Sequence, residues 1–233
     1  MENLLNRVRN DIKAFLKKKR VLPFCNEREF QMQLAVYLYQ KYTNVYVEYF
    51  IPCKLLSGYP WKSDLRIDII VESGGLFVPV ELKYVTQMLK LSECPERLGQ
   101  TFSDINDIPY LRQHGAYPLH RYHFWKDVCR LEYLKNRFNR VAGGLVVFVT
   151  NDKHYEEVPH NTIDQNFGMA GMCQKDKYWH YADSQPKLAK HPAFKLENEY
   201  NILWKKCSGL GENFIYCMAE VTSNNPISVN ICQ

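Results

Sequence analysis

No Cys-x-x-Cys pair occurs in this chain, although it carries eight cysteines, at 25, 53, 94, 129, 173, 207, 217 and 232. Without that spacing they make neither a zinc ribbon nor a redox pair, and they read as free thiols of a reducing cytoplasm. A zinc site built on His114, His120, His123 and a cysteine lacks ligand spacing too. No apolar run approaches the roughly 18 residues of a membrane span, and the basic N-terminus has no apolar signal core. A cytoplasmic protein with no membrane partner is therefore expected. There is no P-loop and no dinucleotide fingerprint, which excludes the glycine-rich ways of cradling phosphates. Internal repeats are absent as well, which excludes solenoids and propellers.

What is present is a chain of 233 residues, long enough to bury a proper core, with 16 Tyr and 12 Phe to fill it. The net charge of +5 and pI near 8.7 suit a polyanionic partner without demanding one.

The most informative stretch runs from Arg66 to Lys83, RIDIIVESGGLFVPVELK. Its apolar and β-branched residues flank Gly74-Gly75, a two-residue hairpin loop that glycine suits because it reaches positive φ without a Cβ clash. Counting outward from a Ser73–Leu76 pair sets Asp68 opposite Glu81, with Cβ atoms about 4.5–5.5 Å apart. Lys83 leaves the same face as Glu81, since strand side chains alternate. Ile67, Ile69 and Val71, with Leu76, Val78, Val80 and Leu82, form an opposite, apolar face. Two carboxylates facing each other repel, and a hard divalent cation such as Mg²⁺ would neutralise them. The plain structural alternative is a solvated polar face on which Lys83 pairs with Glu81. Pro79 donates no ladder hydrogen bond, and a bulge there would slide Glu81 past Asp68.

Asp68 followed by Glu81-Leu82-Lys83 resembles the PD-(D/E)xK signature of the restriction-endonuclease-like nuclease superfamily. The order of elements is similar too, since in that superfamily a helix bearing Glu precedes a short meander whose second and third strands supply the motif. Here residues 26–41 read as the helix, opened by an Asn26–Glu29 capping box, and residues 45–52 as the first strand, carrying Glu48. Runs similar to Asn26-Glu-Arg-Glu-Phe-Gln31, Glu48-Tyr-Phe-Ile-Pro52 and Glu81-Leu-Lys-Tyr84 occur in bacterial members. Ile67 stands where the motif has its proline. The resemblance spans residues 26–84 and continues more loosely to about residue 155.

The resemblance implies one α/β nuclease domain over 1–233. Its restriction-endonuclease-like core, about 21–155, would hold a central mixed β-sheet, a three-stranded antiparallel meander plus a parallel strand, flanked by helices. Residues 156–233 would be a C-terminal extension with a loop and a final strand. The implied activity is metal-dependent hydrolysis of DNA phosphodiesters. Asp68, Glu81 and the Val80 carbonyl would hold Mg²⁺, with Mn²⁺ able to substitute, while Lys83 orients or helps deprotonate the attacking water. Glu27, in phase with Phe30, Leu34 and Leu38, points toward the hairpin and would hold a metal-bound water. Glu29, engaged in the capping box, is the second choice, and Glu48 is a candidate outer ligand or Lys83 partner. DNA is the implied partner, and cutting both strands at one place would favour a homodimer. The other reading is a catalytically silent module of the same fold that binds nucleic acid or protein.

Elsewhere residues 2–20 read as a basic amphipathic helix with Leu5, Val8, Ile12, Phe15 and Leu16 on one stripe. Its end, Lys17-Lys18-Lys19-Arg20, is either a solvated terminus favoured by the helix dipole or a phosphate-gripping patch. Residues 100–112 read as a helix broken at Pro109, with Gln100, Asp104 and Asp107 as accessory candidates. Residues 121–138 read as a helix with Phe124, Val128, Leu131, Leu134 and Phe138 at helical spacing and Asp127, Arg130 and Glu132 in an ion-pair network. Residues 143–150 suit a central strand parallel to the second arm of the hairpin, reached by a helical crossover. Asn151 and Asp152 at its end either reach substrate or cap a turn. Residues 151–200 read as a lid or as hidden structure, where Lys175, Lys177 and Lys187 among aromatics are candidates for stacking on bases and holding phosphates. Residues 212–222 read as the last strand.

Overall fold

The three apolar stripes read from helical spacing are three buried helix faces. Helix α1 (Leu4–Lys17) buries Leu5, Val8, Ile12, Phe15 and Leu16, and Asn3 caps it by accepting the Asn6 amide at 2.8 Å. Helix α2 (Glu27–Tyr39) buries Phe30, Leu34 and Leu38. Its capping box is formed: Asn26 accepts the Glu29 amide at 2.8 Å, and the Glu29 carboxylate reaches back to the Cys25 amide at 2.7 Å. Helix α3 (Tyr117–Arg137) buries Phe124, Val128, Leu131 and Leu134, and begins four residues before the expected start because Pro118 suits a first helical turn. The computed structural model describes residues 3–61, 63–93, 108–180 and 190–222.

The strands follow in chain order as β1 (Asn44–Ile51), β2 (Leu65–Ser73), β3 (Leu76–Val85), β4 (Leu89–Lys90), β5 (Pro109–Leu111), β6 (Gly144–Thr150), β7 (Gly171–Cys173), β8 (Asp176–Lys177), β9 (Phe194–Lys195), β10 (Tyr200–Ile202), β11 (Lys205–Lys206) and β12 (Ile215–Val221). The central sheet runs β1-β2-β3-β6-β12-β11. β3 and β6 are parallel, joined through α3, and every other pair in this sheet is antiparallel. This is a mixed α/β architecture with the expected meander and parallel fourth strand. One face packs on α1 and α2, the other on α3 and the chain beyond residue 155.

The hairpin register is the counted one, running unbroken from Ser73↔Leu76 to Ile69↔Val80. Pro79 pairs with Ile70 and causes no bulge. On its other side the strand bridges from Phe77 to Val141 and then from Val80 to Leu145, so Pro79 lies in a gap where no ladder donor is needed.

The single apolar face expected of the hairpin is corrected in two places. Leu76, beside the turn, is 42% exposed. Ile67 packs on the α3 side of the sheet while Ile69 and Val71 pack on the α2 side. The strand turns over between them, and opposite that point Glu48 has a φ of +52°, a left-handed conformation that non-glycine residues seldom adopt.

The helix expected over 100–112 is also corrected at its described end. Residues 100–107 lie outside the described residues, and Pro109–Leu111 is a strand paired with β4. Leu111 is buried there, and the Tyr110 hydroxyl donates to the Pro23 carbonyl at 2.7 Å. Residues 151–200 hold hidden structure where they are described: β7 pairs with β10 and β8 with β9. This layer is tied to α3, whose Glu132 carboxylate accepts the Glu197 and Asn198 amides and the Tyr200 hydroxyl, each at 2.9 Å. The last strand is shorter than read, starting at Ile215 rather than 212. The described cysteines 25, 53, 129, 173, 207 and 217 are free thiols. Among the described residues no helix is long and apolar enough to cross a membrane.

Candidate functional site

Beyond the Ile69–Val80 pair the hairpin ladder stops, which would leave backbone N–H groups of β3 unpaired toward β2. Carboxylates take the place of the missing strand. Asp68 Oδ2 accepts the Leu82 amide at 2.6 Å, and Glu27 Oε2, from the first residue of α2, accepts the Tyr84 amide at 2.8 Å. Gln31, one helical turn along α2, donates to the Asp68 carbonyl and to Glu48 Oε1, both at 2.9 Å. Glu27, Glu48, Asp68 and Glu81 thus gather where the strands part.

Glu81 is 2% exposed. Its Oε2 lies 3.5 Å from the Asp68 amide nitrogen, and its Oε1 has no hydrogen-bond partner among the described residues. The solvated polar face that stands as the plain alternative is therefore not what the fold contains. Burial, followed by the charges of Asp127 and Asp68, pushes the Glu81 carboxyl well above the usual range. Burial also raises Asp68, and desolvation by the surrounding protein raises Glu27 even though that residue keeps an exposed edge, with Lys83 opposing in both.

Lys83 does not pair with Glu81. Its ammonium sits 2.7 Å from Asp127 Oδ2 on α3 and donates to the Leu82 carbonyl at 2.9 Å. Burial acts to lower the Lys83 pKa, but Asp127, Glu27, Asp68 and Glu81 outweigh it and hold the pKa above the ordinary lysine value. Asp127 is shifted the other way: burial acts to raise it, and Lys83 and Arg130 hold it below the carboxylate norm. Arg130 donates to Asp127 Oδ1 and to the Tyr59 hydroxyl, both at 2.9 Å, and lies 3.9 Å from Glu81 Oε1.

Helical spacing alone makes Asp127 and Arg130 a network of their own on α3. Their place against Lys83 and Glu81 escapes the sequence because it depends on how the crossover helix packs. The one signal available is their i, i+3 spacing on a helix that has to cover this side of the sheet.

The other candidates lie as follows. Val80 pairs with both Ile69 and Leu145 and is fully buried toward α2. Glu29 serves the helix cap and also accepts from Gln33 at 2.9 Å. Asp152 is buried, caps the turn that follows β6 through the His154 amide at 3.0 Å, and accepts the Tyr117 hydroxyl at 2.8 Å. Asn151 accepts the Gln87 amide at 2.7 Å. Gln100, Asp104, Asp107 and Lys187 lie outside the described residues.

Lys17, Lys18 and Lys19 are exposed at the end of α1, whereas Arg20 lies over the Phe15 and Phe24 rings at 4.2 and 4.6 Å from their centres. Lys177 is not available to phosphates: it is 1% exposed, its ammonium 3.9 Å from the Trp125 ring centre and donating to the Asn166 carbonyl at 3.0 Å. The Lys175 ammonium donates to the Glu197 carbonyl at 2.7 Å. His114 and His120 have ring centres 6.3 Å apart. Among the described residues no group of three or more His, Cys, Asp or Glu side chains is arranged to hold a metal ion.

No family model, no curated protein and no solved structure matches this chain.

Proposed function

We propose that the protein is a metal-dependent nuclease of the restriction-endonuclease-like type, hydrolysing phosphodiester bonds of DNA. The observation that carries this reading is Glu81, a buried carboxylate facing Asp68 with one oxygen free of hydrogen bonds among the described residues. Asp68 and Glu27 each complete the backbone ladder of β3 with a short hydrogen bond, whereas Glu81 makes only a 3.5 Å contact with the Asp68 amide through its other oxygen. Leaving a buried polar group unsatisfied costs about 1–3 kcal/mol, and more for a charged one. Hard oxygen donors and an unsatisfied carboxylate oxygen fit a divalent cation such as Mg²⁺ or Mn²⁺.

Asp68 and Glu81 are the residues that would hold it, with the Val80 carbonyl as the third candidate. A cation bound there supplies Lewis-acid polarisation of a phosphoryl oxygen and a more acidic bound water. Lys83, kept protonated by the carboxylates around it, acts as a fixed cation that offsets charge growing on the phosphate rather than as a proton acceptor. Glu27, at the rim of the cluster, would orient a water near Lys83 through the oxygen that does not accept the Tyr84 amide.

Purified protein incubated with supercoiled plasmid, linear duplex and single strands should cleave in Mg²⁺ or Mn²⁺ and not in EDTA. Asp68→Ala, Glu81→Ala and Lys83→Ala should each lower the rate by on the order of 100-fold or more while the fold survives. Undiminished cleavage by all three variants would overturn the assignment.

A silent binding module is favoured by a different observation: Lys83 and Arg130 already neutralise Asp127, and no ready-made set of three ligands is present among the described residues. Calorimetry separates the readings. The nuclease reading expects Mg²⁺ or Mn²⁺ binding that Asp68→Asn abolishes, and the silent module expects none.

A further inference from the structure

Beside the carboxylates, α3 presents His123 and Lys126 almost one turn apart, and the chain after Lys190 brings His191 against His123 and within reach of the Lys126 charge. The His123 and His191 rings are 5.6 Å apart between centres. His191 is fixed from both sides: its carbonyl accepts the Trp179 indole N–H at 2.8 Å, and its ring stands edge-on to Tyr122 at 5.0 Å. The Lys126 ammonium lies 5.2 Å from the Trp61 ring centre.

All three side chains are half-buried, and among the described residues none has an ion pair or a hydrogen bond from its ring or ammonium nitrogen. Donors held in that state call for an acceptor. The carboxylates whose charge reaches Lys126 are Asp127 and Glu81; Asp127 is already engaged by Lys83 and Arg130.

We infer that His123, Lys126 and His191 form a phosphate-binding site at the edge of the carboxylate cluster. The assignment of that phosphate to a nucleic-acid backbone, next to the bond to be cut, rests on the nuclease reading. Burial and the like charges nearby lower the Lys126 ammonium to about 8 and His123 to about 4, with His191 lowered in the same way. At neutral pH the cluster therefore offers two uncharged imidazole N–H donors and one ammonium that stays mostly cationic. A tetrahedral oxyanion accepts from all three and pairs with the one ammonium.

The test uses the full chain in EDTA, so that no cleavage enters the result. Imidazole ¹H–¹⁵N signals of His123 and His191 are followed while inorganic phosphate, a short oligodeoxynucleotide, or chloride at matched ionic strength is added. Phosphate and oligonucleotide should move both signals and chloride should not. Lys126→Gln should weaken binding about ten-fold, and Lys126→Arg should restore most of it. Lys126→Met, which keeps the apolar stem against Trp61, should behave as Lys126→Gln if the missing charge is the cause.

Signals that stay still, or phosphate affinity in Lys126→Gln and Lys126→Met equal to that of the parent, would overturn the site. Movement with inorganic phosphate alone would overturn its assignment to a nucleic-acid backbone. Lys126-dependent phosphate binding in a protein that cleaves nothing would sink the nuclease reading and leave this site standing.

Discussion

Two buried acids of the candidate site have opposite effects on stability because their partners differ. Glu81 is raised well above the usual carboxylate range, so between the unfolded value near 4.3 and its folded value the native state binds more protons than the unfolded one. Stability therefore falls as pH rises through that window, and the loss is complete above the folded value. Glu81→Gln should stabilise the metal-free protein at pH 7–8 by about 1–3 kcal/mol and give no gain near pH 4, as urea titrations at the two pH values would report. A gain independent of pH would contradict the account.

Asp127, lowered by Lys83 and Arg130, contributes stability that is present above its unfolded value and lost as pH falls through its folded value. Asp127→Asn should cost about 3 kcal/mol at neutral pH, since Lys83 and Arg130 lose the acceptor they share. A variant as stable as the parent in the same titration would show that the bridge is dispensable.

Among the elements, the β1–β2 pair carries a strain that the helix beside it holds in place. Glu48 keeps its left-handed backbone while its carboxylate accepts from Gln31, which also binds the Asp68 carbonyl. Such a conformation costs a non-glycine residue about 1 kcal/mol or more, and a β-branched one further. Glu48→Val should therefore be less stable than Glu48→Gly by about 1–2 kcal/mol in chemical denaturation, the reverse of ordinary strand preference. The ordinary order, Val above Gly, would mean that the left-handed turn at this position is not needed.

The elements were largely legible in advance. The stripes of α1, α2 and α3 follow from helical spacing, the hairpin register from Gly74-Gly75, and the parallel β6 from the crossover. What could not be read was the turn-over between Ile67 and Ile69, because a positive φ at a glutamate leaves no trace in a pattern of apolar residues. Pro109–Leu111 escaped for a related reason: a three-residue strand is too short to show a period, and its order comes from tertiary partners such as Pro23 for Tyr110.

For the whole molecule, the net charge of +5 is distributed in a way that bears on partners. Lys17, Lys18 and Lys19 are exposed together, while Arg20 is spent on two phenyl rings. If DNA is the partner, replacing the three lysines with glutamine should weaken binding and lower the slope of log affinity against log salt. The slope should fall by about 0.9 for each phosphate that the lysines no longer neutralise, with Arg20→Gln acting instead on stability. Unchanged salt dependence in a fluorescence-anisotropy titration would place the binding surface elsewhere.

By itself the sequence determined α1, α2 and most of α3, the hairpin and its register, and the approach of Asp68 to Glu81, because these depend on periods of two and 3.6 and on a turn only a few residues long. Tertiary structure alone decided that Glu81 on this polar face is buried, that Lys83 bridges to Asp127 rather than Glu81, and that His123 meets His191 beside Lys126. Those outcomes depend on how α3 crosses the sheet and on which chain segment covers it. Such pairings join residues 40 to 70 positions apart, beyond the reach of any local pattern.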